Sequence, residues 1–398
     1  MTVDDDVERR GAGRASPLRD ASRRLILETL SAGTPISQVD LVRTTGLSRS
    51  TVASVVAELT AEDRLVTTGR GHLDGRGRPP KLLALAAGTG VVAALDLGHA
   101  HLGVAVADLA GTVLSERRVP MDIDSSADAA VDAGVQLLRE MLVEHHDSGR
   151  PKSVVIGVPG PVRRSTGQLL SGTILPGWVG SQPAEDFAAA LGQPVILEND
   201  ANLGAVGEHV YGRGRGVRDL MFVKVSTGIG AGMILNGSLY RGSRGTSGEI
   251  GHVQVSEDGA LCRCGSRGCL ETISSADAAL GLLRQAHGRE LTLEEALQIV
   301  ADGDPGAVRL FTDMGTAIGR VIAAVAANLD PELVIIGGPL ASNPGPLLDG
   351  ISAAVRRYTQ PYVSVQLVVA AGELGSRASL LGAVATAVQV AADRASSR

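Results

Sequence analysis

The chain has three cysteines, Cys262, Cys264 and Cys269, and all of them fall within eight residues of one glycine-rich loop. His252 stands ten positions before the first. Three thiols and one imidazole form a complete tetrahedral ligand set for Zn²⁺. An odd, clustered cysteine count argues against a disulfide framework. Gly259, Gly265 and Gly268 allow the backbone to wrap tightly around an ion. Four protein ligands leave no open position, so the expected zinc is structural. The loop, 252–269, is too polar to pack by itself, and the rest of the fold must use it to position something. Glu249 and Glu271 bracket it. With His252 held by the ion, both carboxylates are fixed beside it, an arrangement suited to the paired hydroxyls of a sugar. The loop is therefore expected to build one wall of a polyol pocket.

The charge is unevenly distributed. Up to Lys81 there are 13 Arg and Lys against 11 Asp and Glu; beyond it there are 24 against 32. A basic first segment on an acidic body suggests a nucleic-acid-binding head. Residues 1–17 are small, polar and charged, and are expected to be a disordered tail. Leu25, Ile26, Leu27 and Leu30 predict a first amphipathic helix. Ser37 and Asp40 predict the start of a second helix that Gly46 stops. Ser48 caps a third, in which Val52, Val55, Val56 and Leu59 must face inward. Two short helices joined by a tight turn make a helix-turn-helix. The second would be the recognition helix, presenting Arg49, Ser50, Thr51 and Ser54 to DNA. The segment TTGRGHLDGRGRPPKLLAL then predicts a β-hairpin wing, with Arg76 and Arg78 among those near its tip. Residues 18–88 thus read as a winged helix-turn-helix.

From Val91 the pattern changes. VVAALDLG, HLGVAVADL and TVLSERRV predict an antiparallel meander, followed by a helix over about 126–145 and the strands SVVIGVPG and PVILEND. The second half repeats this grammar: the hairpin LMFVKVSTGIGAGMILNG, helices across 275–329, and the strands PELVIIGG and VSVQLVVA. A helix of small residues over about 375–394 closes the chain. Two α/β lobes of this kind indicate an internal duplication with a ligand cleft between them. The chain is 44% apolar, enough to bury such cores with 2% aromatics. No apolar run approaches the roughly 20 residues of a membrane span, and the acidic N-terminus is no signal peptide. Free cysteines without a targeting segment indicate the cytoplasm, with no membrane partner.

Asp200, at a strand end just before a helix, is a candidate general base for a substrate hydroxyl. Asn199 offers both a donor and an acceptor for a polyol, or alternatively a helix cap. The turn STGIGAG presents backbone N–H groups around Gly228 and Gly230 that are candidates to cradle phosphate; a plain hairpin corner is the alternative. Leu175 and Trp178, in SGTILPGW with Thr173, are expected near the pocket.

From about residue 18 onward the chain resembles the ROK family of repressors and sugar kinases. The resemblance rests on ENDAN at 198–202, STGIGAG at 226–232, LYRG at 239–242, GEIGH at 248–252, CRCGSRGCLE at 262–271 and IIGG at 335–338. It implies a two-lobed actin-like, hexokinase-type (ribonuclease H-like) α/β fold. Lobe one would span 89–205, closed by the C-terminal helix of about 375–398, and lobe two 206–374. It implies a homodimer or dimer of dimers, zinc on His252, Cys262, Cys264 and Cys269, and sugar contacts from Asn199, Asp200, Glu249, His252 and Glu271. In kinase members the residue matching Asp200 is the catalytic base, served by ATP and Mg²⁺. The N-terminal head resembles the repressor branch. The phosphate motif departs from the kinases: where they carry Asp-x-Gly-Gly-Thr, Asp96-Leu97-Gly98 continues as His99-Ala100-His101. An imidazole and a methyl group contact phosphate poorly, which argues against ATP and Mg²⁺. The expected function is a regulator, a repressor of carbohydrate genes, that binds operator DNA and responds to a sugar or sugar phosphate. The alternative is a glucokinase-like enzyme carrying a DNA-binding head.

Overall fold

The computed structural model describes residues 22–23, 25–27, 29–30, 36–61, 65–70, 81–85, 90–144, 150–163, 166–170, 174–341 and 345–396. The expectations for the 1–17 tail and for Arg76, Arg78 and Thr173 lie outside these residues. The chain divides into two compact units, Met1–Thr89 and Gly90–Arg398.

In the first unit, the described residues between 22 and 30 are helical. Helix α1 spans Gln38–Thr45, and Ser37 caps it by accepting from the Asp40 N–H. Gly46 ends it in the left-handed region at φ 68°, where only glycine sits without strain. Helix α2 spans Arg49–Ala61, and its first amides gain a partner where the Thr51 N–H donates to Ser48 Oγ at 3.1 Å. Strand β1 (Ile36–Ser37) pairs with β3 (Lys81–Leu85), which pairs with β2 (Leu65–Arg70). Ile26, Leu41, Val52, Val55, Val56, Leu59 and Leu83 bury one shared core. The result is a helix-turn-helix followed by a two-stranded wing.

The second unit contains two five-stranded sheets. In lobe one, β4 (Val91–Gly98), β5 (His101–Asp108) and β6 (Val113–Pro120) form an antiparallel meander, and β7 (Val154–Val158) and β10 (Ile196–Asn199) add in parallel, giving the order β10-β7-β4-β5-β6. In lobe two, β11 (Leu220–Val225), β12 (Ile229–Leu235) and β13 (Ser238–Tyr240) form the meander, and β14 (Leu333–Gly337) and β15 (Val368–Ala371) follow in parallel, giving β13-β12-β11-β14-β15. Counted from each lobe's first strand, the two orders are identical. The small pair β8 (Val162–Arg163) and β9 (Gln168–Leu169) stands apart.

Strand alternation decides what each sheet faces. Along β4, Val91, Ala93, Leu95 and Leu97 bury against helices α3 (Ala127–Glu144) and α4 (Pro183–Leu191). Val92 and Ala94 face the other way, onto α5 (Asp200–Tyr211) and the last helix, α12 (Ala378–Ser396), through Leu203, Leu380, Ala383 and Val384. Along β11, Met221, Val223 and Val225 enter the lobe-two core, while Leu220 and Phe222 face Ala205 of α5 and Ala378 of α12. Helices α5 and α12 thus lie between the two sheets. They touch through glycines: a Cβ on Gly382 would lie 1.8 Å from the Leu203 carbonyl oxygen, and one on Gly207 would lie 2.2 Å from that of Ala378.

Lobe two's core is filled by α7 (Ala276–His287), α8 (Leu293–Ala301), α9 (Pro305–Leu329) and α10 (Gly345–Tyr358), with the short α6 (Glu271–Ser274) leading into α7. Helix α9 is long and apolar enough to cross a membrane by length and composition. Its Phe311, Met314, Ile318 and Ile322 are buried in that core. One expected strand differs. In VSVQLVVA the alternation suggested a strand from 363, but Pro361 opens a short helix, α11 (Pro361–Gln366), and the strand begins at Val368. Proline's fixed φ suits the first helical position, and this overrides the alternation.

Candidate functional site

His252 ends a 3₁₀ turn, Ile250–His252, and the loop beyond it folds back through bridges Gln254–Cys269 and Leu261–Arg267. Gly268, at φ 66°, lies so close to Ser256 that a Cβ would meet its carbonyl oxygen at 1.6 Å. The ligand atoms of His252, Cys262, Cys264 and Cys269 all lie within 4.8 Å of one another. Cys262 Sγ is 3.5 Å from His252 Nδ1, and Cys264 Sγ is 3.7 Å from Cys269 Sγ. Zinc–sulfur bonds of about 2.3 Å and zinc–nitrogen bonds of about 2.0 Å give tetrahedral edges of about 3.8 Å and about 3.5 Å. The four side chains therefore fit a metal such as zinc.

His252 has two working sides. Nδ1 faces the cysteines, and Nε2 is 3.7 Å from Glu249 Oε2. Glu249 is half-buried, and its carboxyl is pushed up to about 7 by burial, then by the charges of Asp200 and Glu271. These three carboxylates thus converge on one region. Glu271 opens α6; its Oε2 accepts from the Ile229 N–H at 3.2 Å, and its Oε1 is 3.1 Å from Arg263 Nε. Arg263 itself lies between two of the cysteines, which ties the metal loop to Glu271.

The STGIGAG turn packs directly on this group. A Cβ on Gly228 would lie 2.6 Å from Glu271 Oε2, and one on Gly230 would lie 3.3 Å from Ala201 Cβ. The Ile229 N–H, between those glycines, is engaged by a carboxylate of the chain itself.

At the opposite wall, Asn199 caps α5. Its Oδ1 accepts from the Asn202 N–H and its Nδ2 donates to Gly160 O, both at 3.0 Å, which leaves one lone pair and one proton for a ligand. Glu198 is buried and takes Arg241 Nε at 2.5 Å. Asp200 Oδ2 accepts from Lys224 Nζ at 2.6 Å. Asp96 is buried, its Oδ2 2.9 Å from His101 Nε2. The His101 ring covers Gly98 so closely that a Cβ there would meet Cε1 at 2.0 Å. His99 turns away to Asp124 at 2.7 Å. Leu175 and Trp178 are buried in the core of lobe one, and Trp178 Nε1 donates to Ile123 O at 2.7 Å.

Lys224, Arg241 and Arg263, which partner three of the site's carboxylates, were not singled out from the sequence. A lone lysine in the buried strand LMFVKV was the available signal. A cation at that position needs an anion facing it.

In the first unit, Arg49, Ser50 and Ser54 are exposed on α2 and Thr51 is half-buried. Ser48 Oγ lies 2.9 Å from Ser50 Oγ and 2.8 Å from Thr51 Oγ1. The first turn of α2 carries no acidic residue, so its N-terminal field is open to phosphate. Arg70 and Lys81 are register partners at the end of the wing strands that leads into the connecting segment.

The xylose repressor of Bacillus spizizenii is 27% identical over 374 residues, which cover 92% of this chain and 94% of that repressor. A crystal structure of a ROK family transcriptional regulator, a homolog of the E. coli MLC protein, matches with a TM-score of 0.76 at 25% identity, covering 94% of this chain and 96% of its own. A ROK family glucokinase from Streptomyces griseus, solved with glucose and AMPPNP, matches with a TM-score of 0.65 at 29% identity, covering 75% of this chain and all of the kinase. The ROK family profile matches residues 92–390, and the chain belongs to the ROK family.

Proposed function

We propose that the protein is a sugar-responsive transcriptional repressor that acts in the cytoplasm as a homodimer. One observation carries this reading: the match to a ROK regulator runs through 94% of the chain, helix-turn-helix included, whereas the glucokinase match covers 75%. The first unit binds operator DNA. Arg49, Ser50, Thr51 and Ser54 of α2 enter the major groove, and the wing, with Arg76 and Arg78, lies along the backbone or minor groove. Two heads in a dimer read a palindromic site.

The second unit binds a sugar between its lobes. Asn199 and Asp200 approach from the start of α5; Glu249, His252 and Glu271 approach from the metal side. His252 Nδ1 and the three cysteines would hold a structural zinc, which would leave the His252 Nε2 proton, beside Glu249, to donate to the sugar. Carboxylates accept from paired sugar hydroxyls. Because α5 and α12 lie between the two sheets, a sugar that draws the lobes together shifts one dimer geometry against another, and its effect on DNA equals its differential affinity for the two. Fluorescence anisotropy with operator DNA, across a panel of monosaccharides, tests this: a sugar that binds yet leaves DNA affinity unchanged contradicts it.

A sugar-kinase reading is supported by the glucokinase match and by Asp200 at the cleft. A coupled ADP-release assay separates the two: turnover abolished by Asp200→Asn would establish the kinase.

A further inference from the structure

Duplication places equivalent residues of the two lobes opposite one another, and one such pair carries charge. Asp96 on β4 is registered with Gly103 of β5 and Gly157 of β7. Lys224 on β11 is registered with Gly230 of β12 and Gly337 of β14. Each is thus the charged residue of its lobe's first strand, flanked by glycine on both neighbours. Both point to the side of their sheet that faces α5, by the alternation of Val92, Ala94, Asp96 and of Leu220, Phe222, Lys224. Lys224 Nζ bonds Asp200 Oδ2 at 2.6 Å, with the two side chains 17% and 13% exposed. Asp96 is 4% exposed, and its Oδ1 has no hydrogen-bond partner among the described residues.

We propose that Lys224 is a tethered cation that neutralises Asp200 and Asp96 from within the cleft, so that the cleft takes a sugar alone, with neither a divalent metal nor a nucleotide. This deepens the sugar-cleft reading above and rests on it. A divalent ion approaching Asp200 meets an ammonium already bonded to that carboxylate, and like charges repel strongly where water is scarce. His101 on Gly98 adds to the block, since it covers backbone that a phosphate would need to reach. Removal of the ammonium leaves Asp200 without its partner beside the buried Asp96, a state that recruits a cation.

The test uses full-length, zinc-loaded protein. Mn²⁺ with AMPPNP is titrated into wild type, K224R, K224M and D96N/K224M, and bound Mn²⁺ is read from the loss of the free-ion EPR signal. D-glucose and D-xylose are titrated calorimetrically with and without Mn²⁺–AMPPNP. Wild type and K224R are expected to show no saturable Mn²⁺ uptake, and their sugar isotherms to be the same with and without nucleotide. K224M is expected to bind Mn²⁺ tighter by on the order of tenfold or more, and D96N/K224M to lose that gain. Saturable Mn²⁺–AMPPNP binding by wild type overturns the proposal, as does K224M binding no better than wild type. The wild-type titration decides even if K224M fails to fold. Absence of sugar binding by wild type contradicts the cleft reading, while the Mn²⁺ arms still report on Lys224.

Discussion

Asp96 and Lys224 occupy the same register position in two copies of one sheet, with opposite charge. Each sits between glycines on its neighbouring strands, and both face the helices that lie between the lobes. A duplicated fold brings such positions together without any local sequence similarity between them. Lys224 bonds Asp200, and Asp96 bonds His101.

Arg263, within the metal loop, is joined to Glu271 by an ion pair at 3.1 Å. Cys264→Ser is expected to lower zinc content below one per chain and, with it, sugar affinity by about tenfold or more, since loss of a ligand disorders the loop. Metal analysis together with calorimetry checks this. Intact sugar affinity in metal-free protein would separate the loop from the pocket.

Arg49 opens the exposed N-terminal turn of α2. Arg49→Ala is expected to weaken operator binding by about 1–3 kcal/mol if it reads a base, or to reduce the salt slope by about one if it contacts phosphate. Sugar affinity stays unchanged. Anisotropy titrations at several salt concentrations distinguish these outcomes, and unaltered affinity at every salt argues against α2 as the recognition helix.

The Asp96 carboxyl has its pKa held below the ordinary 3.8: burial pushes it up, but the His101 hydrogen bond and the charges of Lys224, His101 and Arg118 outweigh that. A depressed carboxylate contributes stability that is fully present above its unfolded pKa and is lost as pH falls through the folded value. Lys224 behaves in the opposite sense. Burial lowers its pKa, Asp200 and Asp96 more than restore it, and the ammonium is held above 10.5. Its contribution is present below 10.5 and lost as pH rises through the folded value. The stability difference between wild type and Asp96→Asn is therefore expected to shrink as pH falls below 3.8. Urea unfolding of both proteins at matched pH measures this, and acid effects on the zinc ligands cancel in the difference. A difference that stays constant into acid contradicts the account.

Gly382 lets α12 lie against α5, with the Leu203 carbonyl where a side chain would be. Gly382→Ala must push the helices apart, at a cost of about 1–3 kcal/mol. Because these helices lie between both sheets, sugar affinity is expected to fall along with the melting temperature. A variant as stable as wild type would show that the contact yields easily.

The duplication was legible because both lobes repeat a hairpin meander followed by glycine-ended strands, and buried strands of this kind read as apolar runs with few alternatives. The metal cluster was legible because ligand chemistry needs only residue types and spacing. The partners of the carboxylates were not: Lys224, Arg241 and Arg263 lie 24, 43 and 8 residues from Asp200, Glu198 and Glu271, and only the folded chain brings them together. Trp178 shows what spacing does not reveal: its indole is buried in the lobe-one core and its N–H meets the Ile123 carbonyl. The strand expected from 363 failed at Pro361, where helix-start chemistry outweighed a short alternation.

The central claim is that sugar in the cleft controls DNA binding by the head. Its most direct test is anisotropy of full-length, zinc-loaded protein on a DNA duplex selected from a random library, titrated with and without saturating sugar from a monosaccharide panel. The account predicts that at least one sugar weakens DNA affinity by about tenfold or more, equivalent to about 1.4 kcal/mol of coupling, and that Asp200→Asn abolishes the effect while leaving sugar-free DNA binding intact. A sugar that binds the wild type and leaves its DNA affinity unchanged would contradict it.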